Sequence, residues 1–146
     1  LCGEVHDANA WAMGGVAAHA GLFATAAAVW KFVHATMEAA ADRLEWLAPS
    51  LLRESWQRQS EPDGTTRALG WDTPTPGRSS SGRFFSRQAI GHLGFTGCSL
   101  WIDLQKQVSL ILCTNRVHPS RAAGRIAQLR PKVHDLAMHA LGAACA

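Results

Sequence analysis

No apolar run in the chain approaches the roughly 20 residues that a membrane-spanning helix needs, and no basic-then-apolar leader opens it. Leu1, rather than Met, comes first, as expected of a processed product or a fragment of a longer protein. There is no dense basic run. The net charge is only +3, and the arginines are scattered between Arg43 and Arg130. Nucleic-acid binding needs a concentrated basic face, so no such partner is expected. No paired CxxC, GxSxG elbow, P-loop or HExxH is present. The seven histidines form no metal-ligand spacing, and neither a metal nor a cofactor is expected. The four cysteines, Cys2, Cys98, Cys113 and Cys145, are too few for a disulfide scaffold. They read as structural thiols, although a disulfide is open to them in an oxidising compartment. Cys98 and Cys113 fall in strand-like segments, where a free cysteine acts as a small buried hydrophobe. None of this selects a compartment.

What is present suits a single globular domain over 1–146. Hydrophobic residues make up 47% and charged residues 17%, which argues against disorder. Residues 1–60 read as mostly helical. Gly14-Gly15 reads as a turn. Thr25 offers an N-cap to a helix through Met37, with Val29, Phe32, Val33 and Met37 on its apolar face. Ser50 offers a cap to a short helix through Trp56. Residues 61–89 carry Pro62, Pro74, Pro76 and a Ser79–Ser81 run, and read as a long loop.

From 90 to 115 the pattern changes to antiparallel strands: Ile90–Gly97, Cys98–Asp103 and Val108–Cys113, the last two joined by a polar hairpin turn. The nearly continuous apolar run from Val108 suits a central strand covered on both faces. A C-terminal helix is expected over 120–144, capped by Ser120. Pro131 breaks it or starts a new turn, and Val133, Leu136, Ala137, Ala140 and Leu141 form its apolar stripe. His134 and His139 lie five residues apart on it and read as packing or surface residues. The fold class is α+β, an antiparallel sheet of at least three strands flanked by helices.

One segment stands apart: Gly91-His92-Leu93-Gly94-Phe95-Thr96-Gly97, followed by Ser99-Leu100-Trp101-Ile102-Asp103. Glycines weaken a strand unless something approaches closely. That something is either a ligand at the strand edge or tight packing against Trp71 or Trp101, and the glycines alone favour packing. The segment nevertheless resembles the "GHTGFTGTSLWIDP" stretch of one branch of the serine β-lactamase-like, or penicillin-binding-protein-like, hydrolases. Four further stretches resemble that branch in the same order. They are Val5–Ala10 with Gly14–Phe23, Leu69–Pro74, Leu112–Pro119 and Leu129–Asp135. The resemblance covers essentially the whole chain.

The resemblance implies a partial β-lactamase/transpeptidase-like fold, the C-terminal portion. In that family a serine of an SxxK motif attacks an ester or amide carbonyl, and its lysine, with a later tyrosine, moves the proton. A KTG or HTG motif lines the site. His92-Leu93-Gly94 takes that third position, so the resemblance implies that the Phe95 N–H serves as an oxyanion donor and His92 assists substrate or proton transfer. Leu93 replaces the family's threonine. Leu93, Thr96, Asn115 and Ser120 are the implied substrate contacts, Asn115 and Ser120 from the corner after the third strand. Asp72 either faces the site or packs, Trp71 packs, and His6 and His19 read as structural.

The first two motifs of the family are missing. The chain has no tyrosine, and Ala28, Asp103 and Leu129 stand three residues before its lysines. Acyl transfer has no route without a nucleophile and base, so the chain alone is expected to be inactive. Its partners would be an ester or amide substrate once the missing N-terminal half is supplied, or a second copy of itself through an uncovered sheet edge. The alternative is a non-catalytic binding or self-assembling module.

Overall fold

The computed structural model describes residues 2–120 and 124–142. Helix α1 (Ala8–Ala12) begins where the Asp7 carboxylate accepts the Ala10 N–H at 2.8 Å; the same oxygen meets His19 Nε2 at 3.0 Å. Gly14 and Gly15, both with positive φ, then turn the chain. Helix α2 (Ala26–Ala40) starts at Thr25, whose hydroxyl accepts the Ala28 N–H at 3.2 Å, as expected of this cap. Helix α3 (Pro49–Ser55) follows. A long irregular connection leads to the strands β1 (Ala89–Leu93), β2 (Ser99–Asp103) and β3 (Val108–Leu112), and helix α4 (Ile126–Ala140) is the last element among the described residues. The sheet is an antiparallel meander in the order β1-β2-β3. The structure is therefore α+β, with the helices on both sides of the sheet.

Alternation of side chains along the strands builds two cores. On one face Ile90, Leu100 and Ile102 meet Val33 and Met37 of α2, with Trp56 and Trp71. On the other, Ala89, Trp101 and Leu110 meet Met138 of α4, with Phe84 and Phe85. Gly91 lies opposite Trp101. A Cβ there would come within 2.4 Å of the indole and 2.6 Å of the Leu100 carbonyl oxygen. Packing against Trp101 is thus the reason for this glycine. Asp103, fully buried, accepts from Ser86 N–H and hydroxyl, both at 2.7 Å, and from the N–H groups of Gln105 and Lys106. It ties the β2–β3 turn to the segment before β1.

Several expectations need correction. β1 ends at Leu93 rather than Gly97. Residues 94–97 form a turn in which the Gly97 N–H donates to the Gly94 carbonyl at 3.0 Å. β3 is an edge strand, half-buried throughout, and β2 is central. Ser50 does not cap α3: Ala48 holds that position and Pro49, with its pre-set φ, starts the helix. Ser120 does not cap α4, which starts six residues later after Arg125 without a side-chain cap. Pro131 lies inside α4 and does not end it. Phe32 points away from the sheet, 46% exposed, and meets Trp46 edge to face. Cys98 and Cys113 lie just outside β2 and β3; Cys98 is half-buried and Cys113 exposed. Cys145 falls outside the described residues.

The largest correction concerns α4. Its buried stripe is Arg130, His134 and Met138, at i, i+4 and i+8, while Leu136 and Leu141 are 70% and 62% exposed. The polar members are satisfied. His134 is fully buried; its Nδ1 lies 2.9 Å from the Ser80 carbonyl and its Nε2 3.0 Å from the Ser99 hydroxyl. A carbonyl can only accept, so Nδ1 carries the proton and Nε2 accepts from Ser99. Burial is the main cause that holds this imidazole below its ordinary value near 6.5, and the Arg130 charge acts in the same direction.

The sign follows from linkage. A histidine whose folded pKa is depressed binds fewer protons folded than unfolded, so stability falls with pH below the unfolded value. The urea midpoint should be level above about pH 7. It should decline towards pH 5, with a slope contribution of at most about 1.4 kcal/mol per pH unit. His134→Gln should remove that component, as a comparison of the two pH profiles will show.

Candidate active site

The turn that follows β1 is built from glycines and held from two sides. Gly94 N–H donates to the Cys98 carbonyl at 2.8 Å and continues the ladder. From α4, the buried Arg130 guanidinium donates from Nε to the Gly97 carbonyl at 3.0 Å, and from Nη2 to the Gly94 and Cys98 carbonyls at 2.6 and 2.9 Å. Burial lowers the pKa of this arginine, as does the charge of Arg116 nearby; an arginine nonetheless stays protonated. Its planar fork matches several acceptors at once, which a lysine cannot do. Gly97 has φ +115°, and a Cβ there would meet the Thr114 hydroxyl at 2.2 Å.

From the other side comes the segment after β3. The Arg116 N–H donates to the Thr96 carbonyl at 2.8 Å. Its Nε donates to the Phe95 carbonyl, and its guanidinium lies 4.3 Å from the centre of the Phe95 ring. The ring also stacks on His6 at 5.6 Å, so Phe95 touches both His6 and Arg116. Three stretches far apart in sequence thus converge: Val5-His6-Asp7, the 94–97 turn, and Asn115-Arg116.

The backbone edge of β1 is partly closed. Asp72 pairs with Gly91 through two hydrogen bonds of 2.7 and 2.9 Å, and its carboxylate is paired with Arg67. Asp72 is thereby an edge-pairing residue, and Trp71 beside it packs in the α2-side core. Because Gly91 turns its N–H and C=O to Asp72, alternation turns those of Leu93 to the same outer edge. There no described residue pairs with them. The N–H of Phe95, at the second position of the turn, likewise has no partner among the described residues.

His92 is exposed and shares the α2-side face with Ile90 and Leu100. Leu93 pairs with Ser99, whose hydroxyl reaches His134, so its side chain falls on the α4 side, away from His92. Thr96 and Asn115 flank the turn, Thr96 half-buried and Asn115 exposed; Ser120 is exposed and further along the chain. A groove of about 400 Å³ lies elsewhere, between α2 and the β2–β3 turn, lined by Trp30, His34, Glu38, Arg43 and Gln107. Among the described residues no helix is long and apolar enough to cross a membrane.

Sequence reasoning did not single out Arg130 or the stacking role of His6 and Arg116. The stretch Leu129–Asp135 that carries the resemblance includes Arg130, but nothing in the sequence pattern gave it a role.

Arg130→Met keeps apolar bulk but leaves three carbonyls without their charged donor. It should cost about 2–4 kcal/mol, read from urea unfolding, and Arg130→Lys should fall between it and the parent chain.

A family model described as Beta-lactamase matches residues 3–134. The chain is 32% identical over 126 residues to proteins of Salmonella agona (strain SL483) and Salmonella typhi, each named "Putative D-alanyl-D-alanine carboxypeptidase". The match takes in 81% of this chain and 28% of each relative, so the chain spans little more than a quarter of their length. The fold also superimposes on the crystal structure of a β-lactamase from Mycobacterium bovis, with a TM-score of 0.65 and 16% identity, over 83% of this chain and 46% of that one. By the extent of that match and the fold it shares, the chain belongs to the β-lactamase family, the group of serine hydrolases akin to penicillin-binding proteins.

Proposed function

We propose that the β1 edge and its turn form one wall of an acyl-transfer cleft for ester or amide substrates of the β-lactam or D-alanyl-D-alanine kind. The observation that carries this reading is the outward N–H of Phe95, unpartnered among the described residues, on a turn fixed by Arg130 and Arg116. A rigid, aimed N–H is what stabilises charge developing on a carbonyl oxygen. The free edge at Leu93 offers an extended substrate a backbone to pair with. Gly94, without a side chain, lets it approach. His92, exposed on the face shared with α2, acts on substrate or on the proton network. Thr96 and Asn115 flank the path, and Ser120 stands at its margin. The names of the Salmonella relatives support the substrate class.

The reaction needs a serine nucleophile and a lysine base that this chain does not encode. A second segment must supply them, together with the second oxyanion donor. The substrate carbonyl is attacked by that serine, its oxygen is held by the Phe95 N–H, and the departing amine or alcohol takes the proton.

The test uses the chain joined or complemented with an SxxK-bearing portion of the family fold, assayed on a chromogenic ester and a cephalosporin. Phe95→Pro removes the N–H at a turn position that tolerates proline. It should lower kcat by on the order of 10²–10³, while the chain alone stays at the background rate. An unchanged kcat in Phe95→Pro would overturn the assignment.

A second reading, a self-assembling module, is favoured by apolar side chains left open: Leu136 on α4, Leu141 just after it, and Leu22 and Phe23 before α2. Exposed apolar patches of this kind drive association. The isolated chain should then sediment as a dimer or larger species at high concentration; a clean monomer would count against this reading.

A further inference from the structure

The cysteines just beyond β2 and β3 are opposed in space. The ladder runs Leu100↔Ile111 and Ser99↔Leu112 and ends there; extended by one step, it would set Cys98 against Cys113. The Cys98 carbonyl turns to Gly94, which makes Cys98–Cys113 a pair without mutual backbone hydrogen bonds. Such pairs bring their Cα atoms to about 4.5 Å, inside the range of roughly 4.4–6.8 Å that a disulfide accepts. Cys98 is near enough to Cys113 to act on its thiol. Cys113 is exposed and Cys98 half-buried, so a small oxidant can reach them. Desolvation and the neighbouring sulfur of Cys98 raise the Cys113 thiol above its ordinary range.

We infer that Cys98 and Cys113 form a reversible redox site, closed to a cross-strand disulfide by a low-molecular-weight disulfide of the glutathione type. The exchange balances. One protein thiolate attacks the small disulfide and breaks its S–S bond, releasing one small thiol. The second protein thiol attacks the mixed disulfide and releases the other. The protein pair is oxidised by two electrons, and the small disulfide is reduced to two thiols that take both protons.

The site matters because of its neighbours. A Cβ at Gly94 would lie 3.4 Å from the Cys98 Cβ, and the Cys98 carbonyl is one of the three held by Arg130. Thr114, Asn115 and Arg116 follow Cys113 directly, and the Cys98 thiol reaches the Thr114 carbonyl at 3.4 Å. Closing the bond ties the strand that bears the Arg130 clamp to the segment that grips Phe95. The inference stands on the ladder geometry and does not depend on the hydrolase reading.

Trypsin separates the two cysteines, placing Cys98 in peptide 88–106 and Cys113 in peptide 107–116. The folded chain, equilibrated with oxidised and reduced glutathione and then alkylated, should yield these two peptides joined. Because the loop between them is short, the unfolded chain is the necessary comparison. The Cys98–Cys113 bond should be favoured on the order of tenfold or more in the folded chain over the chain in guanidinium. Cys98→Ser should leave only a mixed glutathione disulfide on Cys113. Equal yields in both states would overturn the inference. So would separate glutathione adducts on Cys98 and Cys113 in the parent chain, or pairing of either with Cys2 or Cys145.

Discussion

A single guanidinium organises the end of the sheet. Arg130 is buried in α4 and donates to the carbonyls of Gly94, Gly97 and Cys98. A turn rich in glycine has much backbone freedom to lose on folding. Three charge-assisted bonds to one rigid fork offset that loss and fix the turn as a unit. Each carbonyl would otherwise be under-satisfied in a partly buried place, where an unmade hydrogen bond costs more than a made one contributes. A buried charge is costly unless it is hydrogen-bonded, and the converging carbonyls supply those bonds.

Much of the remaining geometry follows from that clamp. With Gly94 and Gly97 drawn towards α4, Phe95 is carried outward on the turn, where His6 and Arg116 meet its ring. Helix α4 is held in place in turn by His134, between Ser80 and Ser99, and by Asp135, which receives the Arg83 N–H and guanidinium at 2.6 and 2.9 Å. The free edge of β1 begins where the Asp72 bridge ends. The same turn therefore connects the core, the sheet edge and the exposed face bearing His92.

The legible part of the fold was local. The Thr25 cap, the hairpin turn after Asp103 and the three-strand meander each rest on a few neighbouring residues, and the structure holds them. Order along the chain supplied the family, because five separate stretches agreed in sequence. Other features were set by surroundings that a pattern of residues does not contain. Leu136 and Leu141 read as a core stripe, yet α4 turns Arg130, His134 and Met138 inward because carbonyl and hydroxyl partners wait there. Val108–Leu112 reads as a covered central strand, yet it lies at the sheet edge. Ile90–Gly97 reads as one strand, yet the fork of Arg130, more than 30 positions away, grips the Gly94 and Gly97 carbonyls and holds its end as a turn. Ser120 and Ser50 have the right chemistry for caps but stand at the wrong places. The residues proposed for the site were reached through resemblance, with their open backbone edge visible only in three dimensions.

We propose that Arg130 holds the Phe95 N–H where an acyl oxygen would sit. A crystal structure of the chain united with an SxxK-bearing portion of the family fold, trapped as an acyl adduct, tests this. The acyl carbonyl oxygen is expected about 2.7–3.1 Å from the Phe95 nitrogen, with the three carbonyls still on Arg130. An adduct whose oxygen faces away from Phe95, or a turn released from Arg130 in the acylated state, would contradict it.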